Sequence, residues 1–442
     1  MTRTWPFAAF AAILTLAAAC NRPAPQSTPA QPRSCIVAST ADAGSDHDIT
    51  TRQQDLREGR APARAAEQLG YRFIARARLS NDAGFYKVAE QAAECLEAYQ
   101  PGDPSALLLR GHILHQLHQF GEAEAIARRL VDTREFVLDF GLLGDALMEQ
   151  GRLSAAADAY QKMIDLKPFY QSYTRAAHLR WLKGDLNGAV RLMSSAVKAA
   201  SPRDPESIAW GYSRLAAYEL QRGRLDDAER MAAASLQSVP DYASALLVRG
   251  RIRLAQKKYS EAIQLLEQAA RLNPLPDYQW PLADALRAAG RTADADAAEH
   301  LLLQNGGAED PRTFALYLST RVARTASGPE GPHDMRAGDG QRAVDLARHE
   351  LTVRGDVFTL DALAWALVNV GEVHEASALM ERALAEGTAD ARLFLHASVI
   401  AAADGRSADA ARWASKARQI RFTLLPSELG VLQGIAVAPP RA

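Results

Sequence analysis

The chain has 442 residues, of which 48% are hydrophobic, and its formal net charge at pH 7 is −1. This length suits two or three globular domains or one long repeat array. The near-neutral charge carries no electrostatic footprint for a nucleic acid, so we expect no nucleic-acid partner. The three cysteines have neither CxxC nor His/Cys metal-ligand spacing, which excludes a disulfide-dense fold and predicts no metal or other cofactor. Abundant alanine and leucine favour helices over strands.

Residues 1–19 have the features of an export signal. Arg3 supplies positive charge, Phe7–Leu16 form an apolar run and Ala17 to Ala19 are small. This run is too short for a permanent membrane-spanning helix. The sequence LAAAC, ending at Cys20, resembles the lipobox of bacterial lipoproteins, although Ala17 departs from the usual leucine. The resemblance implies that Cys20 is acylated and becomes the first residue of the mature chain; the alternative is an ordinary secretory signal with a chance cysteine.

The lipobox resemblance also implies a location. Asn21 follows the cysteine where aspartate would resemble an inner-membrane retention signal, so we expect anchoring on the periplasmic side, in the outer membrane. Residues 20–60 contain many Pro, Ser, Thr and Asp residues with little to bury, which predicts a disordered tether. Cys35 lies in this tether and Cys95 in the first repeat, and the two could pair in an oxidising periplasm or remain free.

The rest of the chain repeats one unit. Ten alanines recur at intervals that are mostly 33 or 34 residues, and each opens a second helix: Ala89, Ala123, Ala156, Ala189, Ala228, Ala262, Ala295, Ala343, Ala376 and Ala410. A second small residue lies twelve positions before most of them, for example Gly250 before Ala262. Small residues at both sites allow two paired helices to pack closely. Glycines five positions before seven of the alanines predict left-handed turns between the paired helices.

This pattern resembles the tetratricopeptide repeat, a helix–turn–helix unit of about 34 residues. The resemblance implies an all-α, right-handed α-solenoid of about ten units over residues 61–420, with a concave inner wall. Several separate helical bundles are the alternative, and the near-uniform spacing argues against them. A 14-residue insertion near 325–340 predicts a loop inside the eighth repeat, serving either a partner or no function. Residues 421–442 are expected to form a terminal cap, including a short helix from Pro426, and a tail.

The resemblance also implies which side chains face a partner, because the first helices of such repeats line the concave wall. The corresponding positions here are His112, His115, Gln116, Asp145, Glu149, His178, Trp181, Arg251, Asp284, Arg287, Trp365 and Asn369. Large aromatics are common anchors at interfaces, so Trp181 and Trp365 are the leading candidates for contact, with packing in the core as the alternative. The positions of the lysine–asparagine carboxylate clamp of some family members hold other residues here, for example His112 and Asp145.

Two further site hypotheses are weaker. His112 and His115 lie three positions apart and could share a metal ion, although no acidic residue stands four positions after either. The sequence contains no HExxH, GxSxG or phosphate-binding glycine loop, so we expect no enzymatic activity. We therefore expect a membrane-anchored scaffold that docks an envelope protein or peptide on its concave face. The alternative is an accessory protein that binds a small ligand or metal for envelope transport, and the oligomeric state stays open.

Overall fold

The computed structural model describes Cys35 and residues 47–80, 82–326 and 337–435. These residues form 22 α-helices and no strand: α1 His47–Arg57, α2 Pro62–Ser80, α3 Gly84–Tyr99, α4 Pro104–Gln116, α5 Phe120–Thr133, α6 Val137–Glu149, α7 Leu153–Leu166, α8 Tyr170–Leu182, α9 Leu186–Ala199, α10 Pro205–Gln221, α11 Leu225–Ser238, α12 Ala243–Ala255, α13 Tyr259–Leu272, α14 Pro276–Ala288, α15 Thr292–Glu309, α16 Pro311–Ala326, α17 Ala337–Val353, α18 Val357–Asn369, α19 Val373–Ala385, α20 Ala391–Ala403, α21 Ser407–Gln419 and α22 Pro426–Gly434. A short 3-10 turn, Arg421–Thr423, precedes α22.

Helices α2 to α21 form ten consecutive antiparallel pairs, which confirms the predicted all-α solenoid. Nine of the ten register alanines have 0% exposure, and Ala410 has 6%. The small residue opposite is equally necessary, since a Cβ added to Gly250 would lie 2.6 Å from the Leu266 side chain. Such close contacts explain why each repeat has a small residue at the register alanine and at the position twelve residues before it, while other positions vary.

The turns between paired helices need a left-handed residue. Six of the seven predicted glycines have positive φ, for example Gly151 at 75° and Gly290 at 78°, whereas Gly84 is instead the first residue of α3. His118 and Lys257 occupy the same turn position in the second and sixth repeats, with φ of 60° and 59°. The turn geometry is therefore imposed by the paired helices even where the side chain disfavours it.

The N-terminal boundary differs from the prediction. The tether was expected to extend to residue 60, but His47–Arg57 form helix α1, which packs against α2. Ile49, Gln53 and Leu56 are its buried residues. Two buried apolar residues in eleven are too few for the sequence to predict an amphipathic helix. Helix α1 is stable because these residues pack against α2.

Two further predicted segments can be compared with the structure. Most of the insertion near 325–340 lies outside the described residues; α16 ends at Ala326 before it and α17 begins at Ala337 after it. Helix α22 begins at the predicted Pro426 and contacts α21, but it also packs against the inner sides of α14, α16 and α20. The terminal helix is therefore folded into the concave side of the solenoid as well as over its last repeat.

The solenoid curves until distant repeats meet. The turn after α6 contacts the segment before α18, where Gly355 N–H donates to Glu149 O at 3.0 Å. The turn after α8 contacts the segment before α20, where Thr388 Oγ1 donates to Leu182 O at 2.5 Å. The turn after α10 contacts the 3-10 turn before α22, with Gly223 beside the Phe422 ring. We call these three contacts the closure seam; it joins residues about 200 positions apart and brings distant parts of the inner wall around one cavity.

Candidate binding cavity

The space enclosed by the solenoid is a cavity of about 550 Å³. Its wall is built from the first helices of the repeats, α6, α8, α10, α12, α14, α16, α18 and α20, together with the residues that precede some of them. This volume lies within the range of about 300–1,000 Å³ that small ligands and short peptide segments occupy. The cavity is polar as well as apolar, because five arginines and six carboxylates line it.

An aromatic and cationic group forms one side of the cavity. The Trp181 ring stacks on Phe358 across the closure seam, with centroids 5.2 Å apart, and its indole N–H donates to Gln221 Oε1 at 2.7 Å. The Arg214 guanidinium lies 5.7 Å from the Trp181 ring centroid and 5.4 Å from that of Tyr218. Among the described residues no carboxylate comes within the 4.0 Å ion-pair distance of Arg214. Ring contacts position this guanidinium and leave its in-plane N–H donors available for a planar anion.

Arg251 is a second cation with spare donor capacity. One terminal nitrogen donates to Thr423 O at 2.7 Å, which links α12 to the 3-10 turn. Its Nε is buried and has no hydrogen-bond partner. Burial lowers the pKa of Arg251, and nearby Arg392 adds to this effect, while Asp277 opposes it. A ligand oxygen at this position would satisfy a donor that the protein leaves unpaired.

The other arginines of the cavity are already paired. Arg354 Nε lies 3.0 Å from Glu149 Oε2, and its guanidinium covers the Phe120 ring. Arg312 lies 3.1 Å from Asp356, whose other hydrogen bonds cap the start of α18. Arg392 pairs with the buried carboxylate of Glu428 on α22. These pairs hold the wall and the seam together, so Arg214 and Arg251 are the cations best placed to bind an anionic group.

His178 contributes a neutral surface. Burial, with a smaller contribution from the neighbouring Arg214, lowers the pKa of His178 from 6.5 to about 3. Its ring lies 5.2 Å from Trp181, centroid to centroid. At neutral pH this histidine can therefore offer one donor and one acceptor without adding charge.

The structure brings together four of the predicted wall residues, Glu149, His178, Trp181 and Arg251, in this cavity. Four others form a separate polar group beside it. His112 packs edge-on against Tyr71, and Gln116 accepts from Tyr86 Oη at 3.2 Å while lying 3.4 Å from His115 Nδ1. Asp145 accepts two short hydrogen bonds from Arg175 and one from Tyr160 Oη, so it ties the third repeat to the fourth.

The remaining four predicted residues lie in the repeats near α22. Asp284 accepts from Ser427 N at 2.9 Å, so α22 covers it, and Arg287 pairs with Asp296 and Glu299. Asn369 donates to the Trp365 carbonyl oxygen at 2.6 Å. Trp365 has 0% exposure: its indole N–H donates to Thr320 and its ring stacks on His396 with centroids 4.2 Å apart. In this structure the Trp365 ring has no surface to offer a partner, because it is fully buried between residues of the first helices of both flanking repeats.

Several cavity residues were not among the predictions, notably Arg214, Tyr218, Phe358 and Arg392. Phe358 and Arg392 both stand six positions before the small residue of their repeat, so this shared register position is a signal that could have indicated them. Arg214 and Tyr218 had no such signal, since their positions face the cavity only because the solenoid closes.

No group of three or more His, Cys, Asp or Glu side chains is placed to hold a metal ion in the part of the chain that the structure describes. Among the described helices, none combines the length and the apolar character that a membrane span requires.

Comparison with known proteins supports the repeat assignment. The sequence profile of the tetratricopeptide repeat matches residues 74–136, 141–171 and 213–275. The same helix pairing continues through the other repeats, so the profile and the helix pairs together support a protein built from tetratricopeptide repeats. Its repeats make it a scaffold for protein–protein interactions, and proteins of this type are typically not enzymes. No curated protein matches the chain significantly.

Solved structures resemble parts of the chain. Two crystal structures of MamA have 16% and 15% sequence identity and a TM-score of 0.31 each; they cover 37% and 39% of this chain and 94% and 92% of their own. A thermophilic TPR protein in Thermus thermophilus has 20% identity and a TM-score of 0.36, covering 46% of this chain and 99% of its own.

Proposed function

We propose that this protein is a lipid-anchored scaffold on the periplasmic side of the cell envelope, in the outer membrane. Cys20 is the lipid attachment site in this proposal, supported by the export features of residues 1–19 and the resemblance of LAAAC to a lipobox. Several acyl chains on one residue provide stable anchoring, which a single chain does not. The solenoid is then the interacting part and the N-terminal segment is its attachment.

The cavity sets the size of what the inner wall can hold. A volume of about 550 Å³ excludes a folded domain but accommodates a few residues of a peptide segment. The observation that carries the proposal is the pair of arginines with free donors, Arg214 and Arg251, beside the Trp181 and Phe358 rings. We infer that the bound segment carries a carboxylate next to an apolar or aromatic side chain. The rigid wall reduces the ordering cost of binding such a segment.

Photo-crosslinking in cells tests this site directly. A photoreactive residue replaces Trp181, which lines the cavity, and in a matched strain it replaces Trp365, which is fully buried. We expect one dominant envelope protein crosslinked from position 181 and none from position 365. Adding Arg214→Ala to the Trp181 probe should abolish the crosslink. Equal capture from both positions, or capture that survives the loss of Arg214, would contradict the proposed site.

The anchor has its own test. Cys20→Ser should move the protein from the membrane fraction to the soluble fraction, and metabolic labelling with a fatty acid should be lost with it. A membrane-bound, unlabelled wild-type protein would refute lipidation without bearing on the cavity.

The volume of the cavity, about 550 Å³, favours a second candidate, the binding of a small anionic ligand for envelope transport. Calorimetry of the purified protein with small carboxylates, and separately with zinc, copper or nickel, distinguishes the possibilities. Heat with a carboxylate that disappears in Arg214→Ala would favour this candidate, and heat with a metal would favour metal transport instead.

A further inference from the structure

We propose that Cys35 and Cys95 form a disulfide that fixes the N-terminal segment to the first repeat. The proposal rests on the export proposed above, since such bonds persist in oxidising compartments. Cys20 is the only other cysteine of the chain and is assigned to the lipid, so Cys35 and Cys95 are the two thiols left to pair.

The two residues are distant in sequence and adjacent in space. Cys95 lies in α3 with 0% exposure, inside the apolar cluster that α1, α2, α3 and α4 share. Cys35 is half-buried and packs against this same cluster, and its side chain forms a hydrogen bond with the Cys95 side chain. The two thiols are therefore neighbours in the folded chain, and such proximity is the first requirement for a disulfide.

The burial of Cys95 determines the order of the chemistry. Burial raises the pKa of the Cys95 thiol, and the contact with Cys35 raises it further, so Cys95 is a poor attacking group in the folded protein. Half-exposed Cys35 is the thiol that reaches an external oxidant, which we take to be a disulfide-bearing oxidoreductase or oxidised glutathione.

Two exchange steps balance the reaction. The Cys35 thiolate attacks the oxidant disulfide and forms a mixed disulfide, releasing one oxidant thiol. The Cys95 sulfur, after losing its proton, attacks the Cys35 sulfur, which forms the Cys35–Cys95 bond and releases the second oxidant thiol. The two cysteines lose two electrons, the oxidant disulfide gains them, and the two protons end on its thiols.

This bond would set how far the solenoid stands from its anchor. Without it, the connection from Cys20 to the start of α1 at His47 spans 27 residues, from 47 minus 20, and reaches at most about 90–95 Å. With it, the connection ends at Cys35 after 15 residues, from 35 minus 20, and reaches at most about 50–55 Å. The disulfide thus nearly halves the distance at which the scaffold can meet a partner.

The test uses the purified full-length chain, equilibrated with a mixture of reduced and oxidised glutathione at the ratio of an oxidising compartment. Free thiols are then trapped by alkylation under denaturing conditions, and the peptides are mapped by mass spectrometry. We expect one linked peptide pair containing Cys35 and Cys95, with a mass lower by two hydrogens than the reduced pair. Reduction before alkylation should replace it by two alkylated peptides, and Cys35→Ser should leave Cys95 alkylated.

Two results would overturn the pairing: alkylation of both cysteines after equilibration, or Cys35 bound to glutathione with Cys95 still free. A parallel measurement on acid-quenched cells separates this from the proposed location. A link that forms in buffer but is missing in cells would support the pairing and count against export. A missing link in both, with fatty-acid label on Cys20, would overturn the pairing and leave export standing.

Discussion

The stack of repeats and the closure seam are held by different forces. Within the stack, each register alanine is buried against a neighbouring helix, and the contacts join residues close in sequence. Across the seam one ring stack, Trp181 on Phe358, accompanies backbone and charged contacts, such as Gly355 N–H to Glu149 O and the Lys183–Glu386 ion pair. A hydrogen bond adds only about 0.5–1.5 kcal/mol net and a surface ion pair about 0–1 kcal/mol. We therefore expect the seam to separate more easily than the stack of repeats.

The largest expected effect comes from the stack. Trp365→Ala removes a fully buried ring that contacts both flanking repeats, so we expect a loss of about 3–5 kcal/mol in the free energy of unfolding. The matched change is Trp181→Ala at the seam, whose ring is half-buried and should cost clearly less. Urea denaturation followed by circular dichroism measures both. Equal losses would show that the seam is as firmly packed as the stack.

The second effect isolates the seam. A Cβ added at Gly151 would lie 2.2 Å from the Gly355 carbonyl oxygen, whereas at Gly290, which has nearly the same φ, it would meet nothing within 4 Å. Gly290→Ala should therefore cost about 1 kcal/mol from backbone strain alone. Gly151→Ala should cause the same backbone strain. Its new Cβ should also clash with the Gly355 carbonyl oxygen and push the two sides of the seam apart.

Hydrogen exchange and small-angle scattering distinguish these outcomes. Gly151→Ala should expose the amide of Gly355 and increase the radius of gyration, while Gly290→Ala should change neither. If both variants behave alike, the contact between the third and ninth repeats contributes nothing to the closed form in solution.

The third effect is a pH dependence. Burial lowers the pKa of both His112 and His178 to about 3, against 6.5 in the unfolded chain. Between these values the unfolded chain binds more protons, so stability is fully present above pH 6.5 and is lost as the pH falls toward 3. At pH 4.5 we expect a loss of about 1–2 kcal/mol for each histidine, since both side chains keep some exposure.

Paired denaturation curves at pH 7.5 and 4.5 test this effect, with His178→Gln and His112→Gln as the variants. Each substitution should reduce the difference in the free energy of unfolding between pH 7.5 and pH 4.5. Only the His178 variant should also alter exchange at the seam, because His178 lies beside Trp181. An unchanged difference would mean that these histidines are protonated in the folded state.

The smallest expected effect is a gain in the free energy of unfolding. Lys257 has φ of 59° in a turn where most repeats have glycine, so Lys257→Gly should stabilise the protein by about 0.5–1 kcal/mol. This turn lies outside the seam, so exchange at Gly355 should not change. Thermal denaturation measures the shift, and a loss of stability would indicate that the lysine side chain makes a contact of its own.

Local rules account for what the sequence could predict. The register alanines and turn glycines report contacts within one repeat or with the next, and such contacts recur at a fixed period. For this reason the ten helix pairs, their turns and four residues of the cavity wall were predictable. Helix α1 was not predictable, because its two buried apolar residues, Ile49 and Leu56, form no helical pattern by themselves and are buried only by packing against α2.

The sequence by itself determined the repeating helix pair, the number of repeats and the resemblance to the tetratricopeptide repeat. The tertiary structure alone decided that the wall closes into a cavity, that Trp365 is covered while Trp181 faces the cavity, and that α22 folds inward. The physical reason is that the curvature of a solenoid is the sum of small rotations between neighbouring repeats. No single repeat encodes that sum, so residues about 200 positions apart, such as Lys183 and Glu386, meet without any local pattern that predicts it.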